Sequence, residues 1–195
     1  MPKKDKKQDI LNAALKVFAR YGFKKATVAD VAKEVSMTKS NLYFYVPGKR
    51  ELYDQSIRNA LQTWRDSVAA AIAEKDNAIE KFMVMAVKSY EYLANDEQLR
   101  AILIRDPGIF TLSPAEDRFY EINQGAMRLI RDILLEGIRE GHFIEVDVDQ
   151  TTEFLFSVYI MFLIKTYIKS EGVSAFGMYK QGTSLVLRGL CRAGP

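Results

Sequence analysis

Apolar residues return at every third or fourth position along nearly the whole chain, and no stretch alternates apolar and polar residues for long enough to make a strand. That period predicts an all-α fold. Glycine (11) and proline (5) are few for 195 residues, so turn clusters are too sparse for a sandwich or barrel. With 48% hydrophobic and 27% charged residues, the chain has ordinary globular composition and enough apolar material for a core.

The first stripe, Ile10, Leu11, Ala14, Leu15 and Phe18, predicts a helix over 8–21 that Gly22 stops. Thr27 is placed to cap a second helix with inner face Val28, Val31, Ala32 and Val35, and Asp30 stands at its third position. After 35–37, Thr38 caps a brief third helix in which Leu42 and Val46 face inward while Lys39, Ser40, Asn41, Tyr43 and Phe44 do not. Pro47-Gly48 then precedes a long helix with the stripe Leu52, Ile57, Ala60, Leu61, Trp64, Val68 and Ala71. A further stripe, Ile79, Phe82, Met83, Ala86, Tyr90 and Leu93, ends near Asn95, and a short element spans 97–104. Residues 112–116 read as a capped restart, with Pro114 at the first position of a helix running to Glu140. Asp147 and Asp149 suit the start of a helix over 151–169. Its stretch from Phe154 to Ile164 is apolar around the whole circumference and must be covered on all sides. A last helix follows Gly172.

Charge separates the chain into two parts. Residues 1–50 hold 12 Lys or Arg against 4 Asp or Glu; the rest hold 16 against 21. A basic segment ahead of an acidic body suits a protein whose one end meets a polyanion. The lysines at 3, 4, 6 and 7 alone read as a solvated tail. Basic residues continue, however, into the periodic segment through Lys16, Arg20, Lys24, Lys25, Lys33, Lys39, Lys49 and Arg50.

Two short helices joined by a three-residue turn, the second studded with Lys, Ser, Asn and Tyr, form a helix-turn-helix able to enter a major groove. The residues Ile10-Leu11, Ala13-Ala14, Phe18, Tyr21-Gly22-Phe23, Thr27, Val31-Ala32 and the run from Thr38 to Leu52 resemble the DNA-binding domain of TetR-family transcriptional regulators. The resemblance implies a helix-turn-helix domain over 1–48 and a helical regulatory, ligand-binding and dimerisation domain over 49–195. It places Thr27 and Val28 against DNA at the start of the second helix, Thr27 as a phosphate contact. Thr38 caps the recognition helix. Lys39, Ser40 and Asn41 are its candidates for reading base edges, the Asn41 amide having the donor and acceptor that adenine presents. Tyr43 and Lys49 are implied phosphate contacts, and Phe44 and Tyr45 touch sugar or a thymine methyl. Core packing is the competing reading for both tyrosines, and helix capping for Lys49. Two positions depart from the family pattern: Ser36 stands where the turn usually has Gly, and Ser40 replaces a common Gly in the recognition helix.

A symmetric helix-turn-helix protein presents two recognition helices to a palindromic site, so some surface must join two copies. The segment Phe154–Ile164 is either a central core helix or, with the last helix, half of an intersubunit four-helix bundle; the resemblance favours a homodimer through Phe154, Val158, Phe162, Tyr179, Val186 and Leu190. Large soft side chains in the body (Trp64, Phe82, Met85, Tyr90, Phe110, Phe119, Tyr120, Met127, Tyr159 and Phe162) are core, or line a pocket for an apolar or aromatic effector. By resemblance, that effector releases a repressor from its operator.

An enzyme is the competing class. The chain has one histidine, His142, and one cysteine, Cys191, with no G-x-S-x-G, no phosphate-binding glycine loop and no Glu-x-x-His pair. No catalytic residue, cofactor or metal site is expected; Glu145, Asp147 and Asp149 near His142 match no established metal loop. A carrier or enzyme with a non-specific basic head is the alternative. The lone cysteine suits a reducing compartment, the charged start is followed by no apolar segment of a signal peptide, and the longest unbroken apolar run, 158–164, is far short of a membrane span. A cytoplasmic protein with no membrane partner is expected.

Overall fold

The computed structural model describes residues 3–111, 114–169 and 172–192. Its helices are α1 (Lys3–Lys25), α2 (Val28–Glu34), α3 (Lys39–Tyr43), α4 (Lys49–Ala73), α5 (Ala78–Asn95), α6 (Glu97–Arg105), α7 (Tyr120–Arg139), α8 (Val148–Leu163) and α9 (Gly172–Leu190). The fold is all-α; the bridge between Phe143 and Cys191 is the one extended pairing among the described residues. Contacts divide the chain into two compact units. One joins residues 1–63 with 96–106; the other joins 64–95 with 107–195. This division differs from a break after Gly48, because the first half of α4 belongs with the basic helices and because α6 is inserted among them.

In the first unit, Ile10, Ala14, Val31, Leu42, Leu52 and Ile57 are fully enclosed, and α6 packs on α1 through an inner face of Leu99, Ile102 and Leu103. A helix as short as α6 is marginal alone. Burial worth about 1.5–3 kcal/mol for each of those three side chains fixes it in place. The Asp96 carboxylate caps α6 by accepting from the Leu99 N–H (2.9 Å). At its other end the Arg105 guanidinium donates to the Ala19 carbonyl, and the Tyr53 hydroxyl donates to the Asp106 carboxylate (3.0 Å). Gly22 does break α1, with φ 72° and ψ 162°, but helical turns resume to Lys25. The lysines expected in a solvated tail belong to the helix from Lys3 onward.

The second unit packs α7 against α5 and α8, and α9 against α5 and α8. Gly137 lets the Phe143 ring lie directly on α7, where a Cβ would collide with it; the Phe143 N–H donates to the Gly137 carbonyl (2.9 Å). The restart at 112–116 takes another form: Pro114–Glu116 is a single 3-10 turn and α7 begins only at Tyr120. Leu112 and Ser113, with which that restart opens, lie outside the described residues.

Val148–Ile168 is long and apolar enough to cross a membrane by length and composition only. Within the chain the helix is not covered on all sides: Phe154 is 57% exposed and Met161 47%, while Thr152, Ile160 and Leu163 face the interior. Beyond Leu163 the backbone widens into a π-turn, Ile164–Ile168.

Candidate functional site

The turn between α2 and α3 is built by backbone hydrogen bonds. The Ser36 N–H donates to the Lys33 carbonyl (3.1 Å) and the Met37 N–H to the Ala32 carbonyl (2.8 Å), the paired bonds of a Schellman motif. Ser36 therefore holds the left-handed position, φ 53°, usually given to glycine. Before it, Thr27 and Asp30 form a complete capping box: the Asp30 N–H donates to Thr27 Oγ1 (3.2 Å), and the Thr27 N–H to Asp30 Oδ2 (2.8 Å). The Thr27 hydroxyl, which donates to the same Asp30 oxygen (2.7 Å), and then the Thr27 N–H hold the Asp30 carboxyl below its ordinary range. Thr38 Oγ1 likewise accepts from the Asn41 N–H (3.2 Å), while buried Leu42 anchors α3.

With Leu42 inward, Thr38, Lys39, Ser40, Asn41, Tyr43 and Phe44 are exposed, Phe44 by 83%. This is a polar and aromatic surface with a cation at its start, and the Lys39 ammonium lies 5.9 Å from the Tyr43 ring centre. Tyr45 is half-buried and Thr27 exposed. Val28 is corrected: it is buried in the core at the start of α2. Lys49 already has internal partners, donating to the Lys24 carbonyl (3.2 Å) and lying over the Phe23 ring (4.7 Å). The sequence reading did not anticipate that clasp. The proximity of Phe23, Phe18 and Tyr53, with ring centres 4.9–6.2 Å apart, builds the platform beneath it.

In the second unit, α5 collects side-chain donors on its backbone carbonyls. Trp64 Nε1 and the Tyr159 hydroxyl both donate to Ser89 (3.0 and 3.3 Å), Tyr179 donates to Ala86 (3.3 Å) and Tyr167 to Tyr90 (3.3 Å). The Tyr90 hydroxyl donates to the Phe162 carbonyl (3.2 Å) and pairs with Thr166, which the π-turn carries inward. Burial pushes the phenols of Tyr90, Tyr159 and Tyr179 up, Tyr179 to about 12. They are neutral hydrogen-bond donors at physiological pH.

Residues 10–55 match the family described as "Bacterial regulatory proteins, tetR family". Over longer stretches the chain is similar to the fatty acid metabolism regulator protein of Bacillus subtilis, 25% identical over 155 residues that make up 79% of each protein. It is 22% identical to the HTH-type transcriptional repressor KstR2 of Mycobacterium tuberculosis, over 95% of this chain and 93% of that protein. The family match covers 46 of the 195 residues, those of the basic N-terminal helices. The fold of the chain matches that of the transcriptional regulator FadR from Bacillus subtilis, solved in complex with stearoyl-CoA, at TM-score 0.75 and 20% identity over 94% of this chain and 98% of that one.

The residues that match the family include α2 and α3 and lie in the first unit. The expected effector residues fall into separate places. Trp64, Phe110 and Tyr159 meet, with ring centres 6.4–6.5 Å apart, and Tyr92 stacks on Trp64 at 5.8 Å. Tyr90 stacks between Phe176 and Tyr179, and Phe162 lies beside Tyr179. Phe82 packs on Phe143 instead. Met85 and Phe119 are buried, Met127 accepts a hydrogen bond from Gln124, and Tyr120 points outward at 46% exposure. Of the residues expected between copies, Phe154 is exposed and Val158, Phe162 and Val186 are half-buried. Tyr179 and Leu190 are corrected: both are enclosed within the chain, because α9 turns them toward α5 and the 143–144 loop.

Proposed function

We propose that this chain is a cytoplasmic tetR-family repressor that grips a palindromic operator as a homodimer and leaves it when an apolar small molecule enters the second unit. Residues 1–48, joined by Lys49 at the start of α4, supply the DNA contacts, and the rest of 49–195 the ligand and partner surfaces. The carrying observation is the Thr38-capped α3, whose one buried side chain, Leu42, turns Lys39, Ser40 and Asn41 outward together. Lys39 and Asn41 read base edges, and Thr27, Tyr43 and Lys49 position the backbone. Phe154 and Met161 on α8 and Met178 and Leu185 on α9 are large apolar side chains exposed on the chain, and a second copy packed on these two helices covers them. The relatives named for fatty acid metabolism, and stearoyl-CoA bound to one of them, make a long-chain acyl compound the first ligand to try. Such a ligand acts by favouring in free energy the state of the dimer that fits DNA poorly.

Selection from a random duplex pool tests the first half. A palindromic winner with half-sites about one helical turn apart is expected. Equal retention of every duplex refutes specific recognition. Adding stearoyl-CoA to the protein on its selected site tests the second half by release of the labelled duplex.

A further inference from the structure

Glycine inside a helix is normally a loss, yet α7 carries Gly125 at a buried interior position. The space is taken by Arg65 of α4: its Nη1 and Cδ lie 2.9 and 3.0 Å from where a Cβ on residue 125 would stand, and Arg128 Nη2 lies 3.6 Å from the same point. Two guanidinium groups thus converge over one gap in α7. Arg65 is held in orientation by Asp66, whose Oδ1 accepts from both Nε (2.9 Å) and Nη2 (2.6 Å), which leaves Nη1 turned to α7. Among the described residues, neither Nη1 of Arg65 nor the guanidinium of Arg128 has a hydrogen bond or ion pair. Asp66 thus pairs with Arg65 alone among these residues, and Arg128 is left without a carboxylate in a stretch of chain that is otherwise net acidic. Trp64, the residue before Arg65, faces the aromatic group of Tyr92, Phe110 and Tyr159, while Arg128 is exposed.

We infer that Arg65 and Arg128 bind the anionic head of the effector, a carboxylate or phosphate, while its apolar tail runs inward toward Trp64. The inference rests on the ligand-release reading and specifies the chemistry of that ligand: an amphiphile with an oxyanion at one end. Guanidinium forks suit an oxyanion because their donors are planar, always charged and matched in spacing to two oxygens. Close like charges on the protein favour the anion further, since its arrival relieves their repulsion.

Trp64 is the one tryptophan in the chain, so its fluorescence reports binding beside Arg65. Stearoyl-CoA, stearate and octadecanol are titrated into the full-length wild type, Arg128→Ala and Gly125→Ala. The second substitution displaces the Arg65 head while keeping every charge. Both variants are expected to raise the Kd of at least one anionic probe about tenfold and to leave octadecanol within about twofold. Loss confined to stearoyl-CoA assigns the site to phosphate; loss that includes stearate assigns it to carboxylate. Unchanged binding of both anionic probes by both variants overturns the inference. So does wild-type protein that binds octadecanol and neither anion; release of operator by octadecanol then keeps the ligand-release reading intact.

Discussion

Replacing Ser36 with glycine isolates the cost of the turn that aims α3. Ser36 sits at φ 53°, where a residue with a Cβ is about 1–2 kcal/mol worse than one without. Against this gain, glycine loses more backbone freedom on folding, about 0.5–1 kcal/mol. The two bonds that define the turn come from the N–H groups of Ser36 and Met37, so the substitution removes neither. Net stabilisation of about 0.5–1 kcal/mol follows, raising the melting temperature by roughly 1–4 °C for a chain of this size. Urea denaturation followed by far-ultraviolet circular dichroism measures it. Ser36→Ala is the control: it keeps the Cβ in the left-handed region and gains nothing. Because α3 keeps its aim, operator affinity of the glycine variant should match the wild type. Equal stabilisation by alanine and glycine, or a loss with glycine, refutes the assignment of strain to this residue.

Lys49→Ala should weaken binding to all duplexes alike and reduce the salt slope by about one unit, as loss of a phosphate contact requires; an unchanged slope with lower stability would confine Lys49 to its clasp on the Lys24 carbonyl. Gly137→Ala should destabilise the second unit by about 1–3 kcal/mol, because the new methyl meets the Phe143 ring and not a flexible chain end; wild-type thermal stability would contradict that packing. The phenol of Tyr179 is raised in the folded state to about 12, so its contribution is complete below the unfolded tyrosine value of about 10 and fades as pH rises toward the folded one. Tyr179→Phe should accordingly lose less stability between pH 10 and about 12 than the wild type, as read by alkaline unfolding; identical profiles would remove Tyr179 from the titrating set.

Legibility followed the range of the signal. The caps at Thr27 and Thr38, the Asp30 partner and the break at Gly22 depend on residues within one turn of each other, and they stand where the pattern put them. The outward set on α3 was readable for the same reason: Leu42 alone in a five-residue helix can anchor it. What periodicity could not supply was partnership across the fold. Nothing local says that Phe143 settles on Gly137, that Lys49 reaches Lys24, or that four tyrosines deliver their hydroxyls to backbone carbonyls. The α8 pattern was equally ambiguous, since a surface meant for a second copy and a surface meant for the core carry the same side chains. Tyr179 and Leu190 went inward while Phe154 and Leu185 stayed out, a distinction set by how α9 is rotated and not by hydrophobicity.

The placement of α6 limits how such a regulator can be recombined. The chain departs from the second unit at Asn95, contributes Leu99, Ile102 and Leu103 to the first, and returns at Pro107. A chimera made by one crossover within α4 would strip the transplanted head of these three residues and supply whatever α6 the recipient encodes. Exchange of operator preference between relatives therefore favours point changes on α3 over transfer of the head as a cassette, and a transplanted cassette succeeds only where the recipient's own α6 fits the incoming α1.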